Sequence, residues 1–369
     1  MNIKNHIGTL SYMPQLDALR AFAVFFIMMA HYIPEDNFLY RIFPWGGMGV
    51  RLFFVLSGFL VTIGLLVYKN QIDLENKNTW SLIRKFYLRR VLRILPIYYI
   101  TILIVSIFNI GNIRQHLFWH ISYLSNIYIS FNGWIGYASH FWTLAVEIQF
   151  YLIWPFIIIF ADRKHLKPII LLTIAIAPIS RILFLLIGAD TAAIAFTTSN
   201  FDALGFGALI AYYNWESSFS KISLNKVGNY GLIIGLFILI TAYVLRASSP
   251  DIGKFNREYY LIILDLNAYT LISTWLIINA SNGFKGVIGK ILTAKFIIYL
   301  GKISYGIYLF HNFINVIIFY PKLFKILHLP YPSSIEMQII YKILATVLIS
   351  ALSWQIIENP INSLKSRFK

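Results

Sequence analysis

Arg20 and His31 stand eleven residues apart inside one apolar stretch, LDALRAFAVFFIMMAHYI, from Leu16 to Ile33. Ionisable groups in such a run are functional candidates by default, because hydrocarbon makes them costly. At about 100° per residue, eleven steps return a helix to within roughly 20° of its starting direction. A rise of 1.5 Å per residue then separates the two by about 16 Å. The pair shares one face at two depths. A guanidinium near one membrane surface and an imidazole toward the middle or far side suit a long anionic donor whose reactive end must reach across the bilayer. The plainer alternative for His31 is a hydrogen bond to a neighbouring helix. Glu147 is another ionisable group set in an apolar run, HFWTLAVEIQFYLIWP from His140 to Pro155.

The elements that must position these groups are membrane helices. Of 369 residues, 58% are hydrophobic and only 12% charged, which describes a polytopic membrane protein rather than a soluble domain. Apolar stretches of spanning length fall near residues 14–34, 47–68, 91–110, 141–160, 168–187, 201–214, 230–247, 259–279, 296–319 and 338–357, about ten in all. The region from Lys69 to Arg90 is the most basic, with Lys77, Arg84, Lys85 and Arg89 opposed by Asp73 and Glu75. The positive-inside bias makes it cytoplasmic, and alternation then puts both termini on that side. Residues 115–131 are apolar enough to complicate the count. They are expected to form an outer, partly re-entrant or interfacial segment, since a span there would invert every later loop. The opening MNIKNHIGTLSYMPQ lacks a signal-peptide pattern, so the first helix should remain in the mature chain. No repeat or appended polar domain is evident, and residues 1–369 read as one membrane domain.

Composition also excludes chemistries. Cysteine is absent, which removes disulfides, thiolate metal sites and cysteine-linked acyl intermediates. The net charge of +16 lies mostly in short loops beside apolar spans, where topology and anionic lipid account for it, so nucleic acid is not an expected partner. No metal-ligand spacing or phosphate-cradling glycine loop occurs.

Several motifs, taken together and in order, resemble the bacterial acyltransferase 3 family. They are Arg20 with His31, GVRLFFVLSGFL from Gly49, RRVLRILPIYY from Arg89, HFWTLAVEIQFYLIWP from His140, FDALGFGALIA from Phe201, LGKISYGIYLFH from Leu300, and ENP from Glu358. The resemblance covers essentially the whole chain. It implies a multi-pass inner-membrane enzyme that moves an acyl group from cytoplasmic acyl-CoA, usually acetyl-CoA, to a hydroxyl, often on a cell-surface polysaccharide or glycolipid sugar. Some members carry a periplasmic hydrolase-like domain and others modify small molecules; this chain looks like a stand-alone form.

Acyl transfer to an alcohol needs a base, stabilisation of developing negative charge and a grip on the leaving coenzyme. His31 is the candidate base. Glu147 is expected to orient His31, to bind acceptor hydroxyls or to act as the base itself; its structural alternative is a buried ion pair with Arg51 or Arg181. Arg90 and Arg93 offer guanidinium forks for the coenzyme's phosphates, with Arg20 further along the donor's path. The bland reading of this basic run is a topology signal contacting lipid headgroups. His140 and Trp142 are candidate acceptor contacts, against solvation at the interface and an ordinary aromatic belt. Ser57 and Gly58 are expected to serve close helix packing, Asp17 to cap the first helix or pair with Arg20, and Arg181 to pair with Asp202. His311 is a further candidate for the cavity wall. The rival class is a transporter of a glycan or lipid precursor, which would consume no thioester. A homo-oligomer is compatible with the sequence, which does not set the assembly state.

Overall fold

The computed structural model describes residues 12–216, 221–248, 257–317, 324–325, 331–332 and 334–367, and all regular structure among them is helical. Helix α1 (Pro14–Tyr32) opens with proline at a position where the missing N–H has no intrahelical partner to lose. Helix α2 (Trp45–Glu75) ends where Asn76 turns into the left-handed region, and α3 (Thr79–Ile107) begins at Asn78, whose side chain accepts from the Ser81 amide. The basic region from Lys69 to Arg90, read from its charge as a loop between spans, is therefore almost entirely helical, and Arg84, Lys85, Arg89 and Arg90 ride on the first turns of α3. The helices outrun the apolar segments because a helix can continue into the headgroup zone, where its charged side chains are solvated.

Two short helices follow, α4 (Leu117–Ile121) and α5 (Ser125–Asn132). At 1.5 Å per residue neither approaches the roughly 30 Å of a hydrocarbon core, so residues 115–131 do not span. They are tied down: Asn126 Oδ1 accepts from Gln149 at 2.8 Å, and its Nδ2 donates to Thr197 Oγ1 at 2.9 Å. Then come α6 (Phe141–Phe160), α7 (Arg163–Leu186), α8 (Phe201–Trp215), α9 (Lys221–Ser248), α10 (Arg257–Asn282), α11 (Lys295–Lys302), α12 (Ser304–Ile317) and α13 (Ile335–Ser353). The last continues through a π turn at Trp354–Glu358 into α14 (Asn359–Ser363).

Seven helices among the described residues are long and apolar enough to cross a membrane. Three expected spans are not among them. Helix α1 carries Asp17, Arg20 and His31 within 19 residues, α8 has only 15, and the stretch 296–319 is broken at Ile303 into α11 and α12. Residues 318 and 319 lie outside the described residues.

Glycines let the central helices touch backbone to backbone. A Cβ on Gly58 of α2 would lie 2.0 Å from the Leu204 carbonyl oxygen, and one on Gly207 of α8 would lie 2.1 Å from that of Val55. Gly301 does the same for α1, where a Cβ would meet the Asp17 carbonyl oxygen at 1.9 Å. Helix α1 is thereby clasped by α2, α11 and α12. A buried ionic knot fastens the same frame. Asp202 Oδ1 accepts from Arg51 at 3.0 Å and from Arg181 at 2.6 Å, and Arg181 also donates to Asn267 Oδ1 at 2.8 Å. Arg51, Arg181 and Asp202 are all buried. The expected Arg181 pair is present, and Arg51 joins it.

Candidate active site

Arg20, Ile27 and His31 form one stripe of α1, at spacings of seven and four residues. At its N-terminal end, Asp17 Oδ1 accepts from Arg20 at 2.5 Å, and Asp17 Oδ2 accepts from the Tyr12 hydroxyl at 2.8 Å. Burial, then the Asp17 carboxylate, pushes the Tyr12 phenol up to about 12, which keeps it a donor.

The stripe faces two cavities that share Arg20, Leu60 and Arg93. The larger, about 500 Å³, is a vestibule walled by Tyr12, Asp17, Arg20, Arg93, Lys302 and Lys365. That volume lies within the roughly 300–1,000 Å³ usual for small-molecule sites. The smaller, about 90 Å³, is a chamber holding Arg90, Ser57, Thr143, Glu147 and Tyr308, with Ile27 on its wall. Arg20, Arg90 and Arg93 along it are opposed only by Glu147 among the charged residues that line it.

Inside the chamber Glu147 accepts a hydrogen bond from Ser57, which itself accepts from the Tyr151 hydroxyl at 3.0 Å. Arg90 lies over the Tyr151 ring at 5.1 Å and the Phe86 ring at 5.5 Å. Arg51 and Arg181, the partners considered for Glu147 in a structural pair, are both engaged by Asp202. Glu147 therefore stays in the chamber with Arg20, Arg90 and Arg93 along its walls. Ser57, expected to serve packing, donates to Glu147, while Gly58 has the packing role.

Beyond the chamber's far end lies a group of three imidazoles. His31, exposed at the end of α1, donates from Nδ1 to the Ile27 carbonyl oxygen, 2.9 Å away; that oxygen can only accept, so Nδ1 carries the proton and Nε2 presents a lone pair. The His31 ring meets His311 at 4.9 Å between centroids, and His311 meets His140 at 4.9 Å. His140 is buried rather than solvated, with Nδ1 at 2.9 Å from the Tyr137 carbonyl and Nε2 at 3.3 Å from that of Leu309.

Of the residues singled out in the sequence, Arg20, Arg90, Arg93 and Glu147 thus meet in one chamber, while His31 and His140 meet outside it around His311. Glu147 does not touch His31. Glu147 lines the chamber with Ile27, whereas His31 lies one helical turn beyond Ile27 on α1 and does not line it. Trp142 lines neither cavity and packs edge-on against Phe54 at 6.0 Å and Trp134 at 6.3 Å. Arg84, Lys85 and Arg89 are also absent from both cavity walls. The sequence reading missed Thr143, Tyr151, Lys365 and the placement of Lys302. Their only signal was a polar atom at helical spacing from a named residue, as Thr143 and Tyr151 are from Glu147.

A helical membrane protein with a charged, narrowing cavity of this kind fits a group-transfer enzyme. The family model for the acyltransferase domain of acyltransferase 3 proteins matches residues 13–357, and the chain belongs to that family. Among curated proteins it is similar to peptidoglycan O-acetyltransferase OatA of Listeria monocytogenes, 29% identical over 380 residues, covering 95% of this chain and 56% of the relative. It is likewise similar to the putative peptidoglycan O-acetyltransferase YrhL of Bacillus subtilis, 28% identical, covering 95% and 55%. O-acetyltransferase OatA of Staphylococcus aureus is 28% identical, covering 97% and 58%. The chain spans just over half the length of these relatives. No solved structure matches it.

Proposed function

We propose that this protein is a membrane O-acetyltransferase that takes acetyl from acetyl-CoA at the cytoplasmic face and passes it to a hydroxyl of a cell-wall polysaccharide. The observation that carries the reading is the pair of adjoining cavities, a larger cationic vestibule and a smaller chamber that share Arg20, Leu60 and Arg93. Coenzyme A has two matching parts: a bulky anionic nucleotide and a linear pantetheine tail ending in the thioester. The nucleotide's phosphates would lie against Arg93, Lys302 and Lys365, and the arm would run past Arg20 and Arg90 toward the His31 end. The peptidoglycan relatives support the acceptor class. The basic ends of the helices support a cytoplasmic vestibule, cytoplasmic termini and an inner-membrane setting.

The chemistry follows from the fixed tautomer of His31. Its Nε2 takes the proton of the acceptor hydroxyl as the oxygen bonds to the acetyl carbonyl carbon. The C–S bond then breaks, and the thiolate recovers the proton from His31, giving the O-acetyl ester and free coenzyme thiol. The arginines of the chamber favour the negative charge that builds on the thioester side, and Glu147 limits the net positive charge there and holds Ser57 and Tyr151 in place. No proton is gained or lost overall, so neither membrane face must supply one.

Inverted vesicles carrying the protein, given acetyl-labelled acetyl-CoA and peptidoglycan precursor, should place label in the polysaccharide fraction. Movement of precursor across the membrane with no thioester consumed would instead establish the transporter.

Lys365 supplies a pH signature. Burial, then the neighbouring charges of Arg93, Arg90 and Arg89, push its ammonium down to about 8, and it donates to Asn362. Tyr12, Asp17 and Lys302 complete the titratable wall. A cation with a lowered value keeps its charge below about 8 and loses it above, so donor binding weakens as pH rises. The KM for acetyl-CoA should be flat from pH 6 to 7 and rise roughly fivefold by pH 9.5, the worth of one partly exposed ion contact. Lys365→Arg, charged throughout, should flatten the profile.

A further inference from the structure

Arg90 and Arg93 stand three residues apart on α3, and both line the chamber. That spacing keeps the two side chains on neighbouring faces of one turn. Among the described residues neither has an ion pair or a hydrogen-bond acceptor. Arg90 has only aromatic rings, Tyr151 at 5.1 Å and Phe86 at 5.5 Å. A ring face attracts a cation but gives the five N–H donors of a guanidinium no conventional acceptor. Nearby carboxylates are engaged elsewhere. Asp17 accepts from Arg20 and Tyr12, and Glu147 accepts from Ser57. Across both cavities five cations, Arg20, Arg90, Arg93, Lys302 and Lys365, face two carboxylates, Asp17 and Glu147. Glu358 is buried, lines neither cavity and accepts from Ser353 at 3.1 Å. Even with Glu358 included, positive charge is in excess at a depth where unpaired charge is costly. The chamber also has room for a counterion: its volume of about 90 Å³ is several times the roughly 10–15 Å³ that one water-sized guest needs.

We infer that the chamber, when no donor occupies it, holds a small monovalent inorganic anion of halide size against Arg90 and Arg93. The ligand class follows from the wall: two guanidiniums with free N–H donors, apolar neighbours in Ile27, Phe53 and Leu60, and a boundary shared with the cationic vestibule. The anion neutralises the pair before turnover, in the place where negative charge builds on the thioester side during it. It leaves when the donor's arm enters, so each donor bound releases one anion and halide competes with acetyl-CoA. The site rests on the geometry of the chamber alone, and the competition rests on the acetyltransferase reading.

The test uses the full chain in phosphatidylcholine nanodiscs, where no anionic lipid competes. Sodium chloride is replaced stepwise by sodium gluconate at constant ionic strength, so screening does not change. With no donor present, radiolabelled chloride should bind the native chain, and coenzyme A should displace it. Arg90→Gln keeps a polar side chain in the chamber and removes the charge. It should weaken chloride binding roughly 10- to 150-fold, the worth of hydrogen bonds to a charged group. Arg84→Gln, on an exposed arginine of the same helix outside both cavities, should bind chloride as the native chain does. In turnover, the native KM for acetyl-CoA should rise linearly with chloride, roughly doubling or more by about 0.15 M, with kcat unchanged, as exclusive binding of two ligands requires. A native chain that binds no chloride would overturn the inference whatever the folding of the variants. So would equal chloride binding by the native chain and a folded Arg90→Gln, or a KM for acetyl-CoA indifferent to chloride. Chloride bound by the native chain and lost in Arg90→Gln, with no acetyl-CoA consumed under any condition, would uphold the anion site and overturn the donor reading instead.

Discussion

His31→Ala is expected to reduce acetyl transfer about 10²- to 10⁴-fold, the usual contribution of a positioned general base, with the KM for acetyl-CoA close to native. The split follows from where the residue sits. The vestibule and chamber that would hold the donor are walled by Arg20, Arg90, Arg93, Lys302 and Lys365, and His31 lines neither. Its imidazole lies one turn beyond Ile27, outside the donor's grip and exposed at the end of α1. Loss of the ring removes proton transfer without removing phosphate contacts. Steady-state kinetics of the purified protein, with variant and native chain at equal folded concentration, make the check. A His31→Ala variant with native turnover would take His31 out of the mechanism and move the base to Glu147, the other candidate read from the sequence.

Asp202→Ala is expected to destabilise the fold by about 3–5 kcal/mol, because it strands two buried guanidiniums that share one carboxylate. Against a total of roughly 5–15 kcal/mol for a typical protein, that is enough to deplete the folded population. Thermal unfolding in detergent should show a lowered midpoint, and membrane yield should fall. The remedy distinguishes charge from shape. Replacing Arg51 and Arg181 along with Asp202 by apolar residues of similar volume should recover much of the loss, as buried ionic groups exchanged as a set are often neutral. If Asp202→Ala left stability unchanged, the knot would not be what fastens α2, α7 and α8.

Much of this architecture is legible in the sequence because lipid imposes strong local rules. Apolar runs of fixed length mark the helices, and the eleven-residue spacing of Arg20 and His31 marks a common face. Asp17 with Arg20, and Arg181 with Asp202, are readable because an isolated charge in a span must find an opposite. What fails is whatever depends on which helices pack together. Arg51 was weighed as a partner for Glu147, yet it goes to Asp202, because glycine-lined contact brings α8 against α2. Glu147 takes Ser57, a hydroxyl ninety residues away in sequence. The imidazole group draws on α1, the start of α6 and α12, which no spacing rule connects. Lys365 enters the vestibule only because the π turn after α13 redirects the chain under α3.

The narrowing from about 500 to about 90 Å³ bears on more than recognition. An enzyme that works across a bilayer risks short-circuiting it, since any water-filled path wide enough for a substrate also conducts ions. Here the donor's own arm would occupy the chamber during turnover and act as its stopper. With an acyl donor lying there, the same small chamber would also disfavour longer acyl groups, since each added methylene would have to be housed in it. Electrical insulation and chain-length selectivity would then be two results of one dimension, and widening the chamber at Phe53 or Ile27 would relax both together.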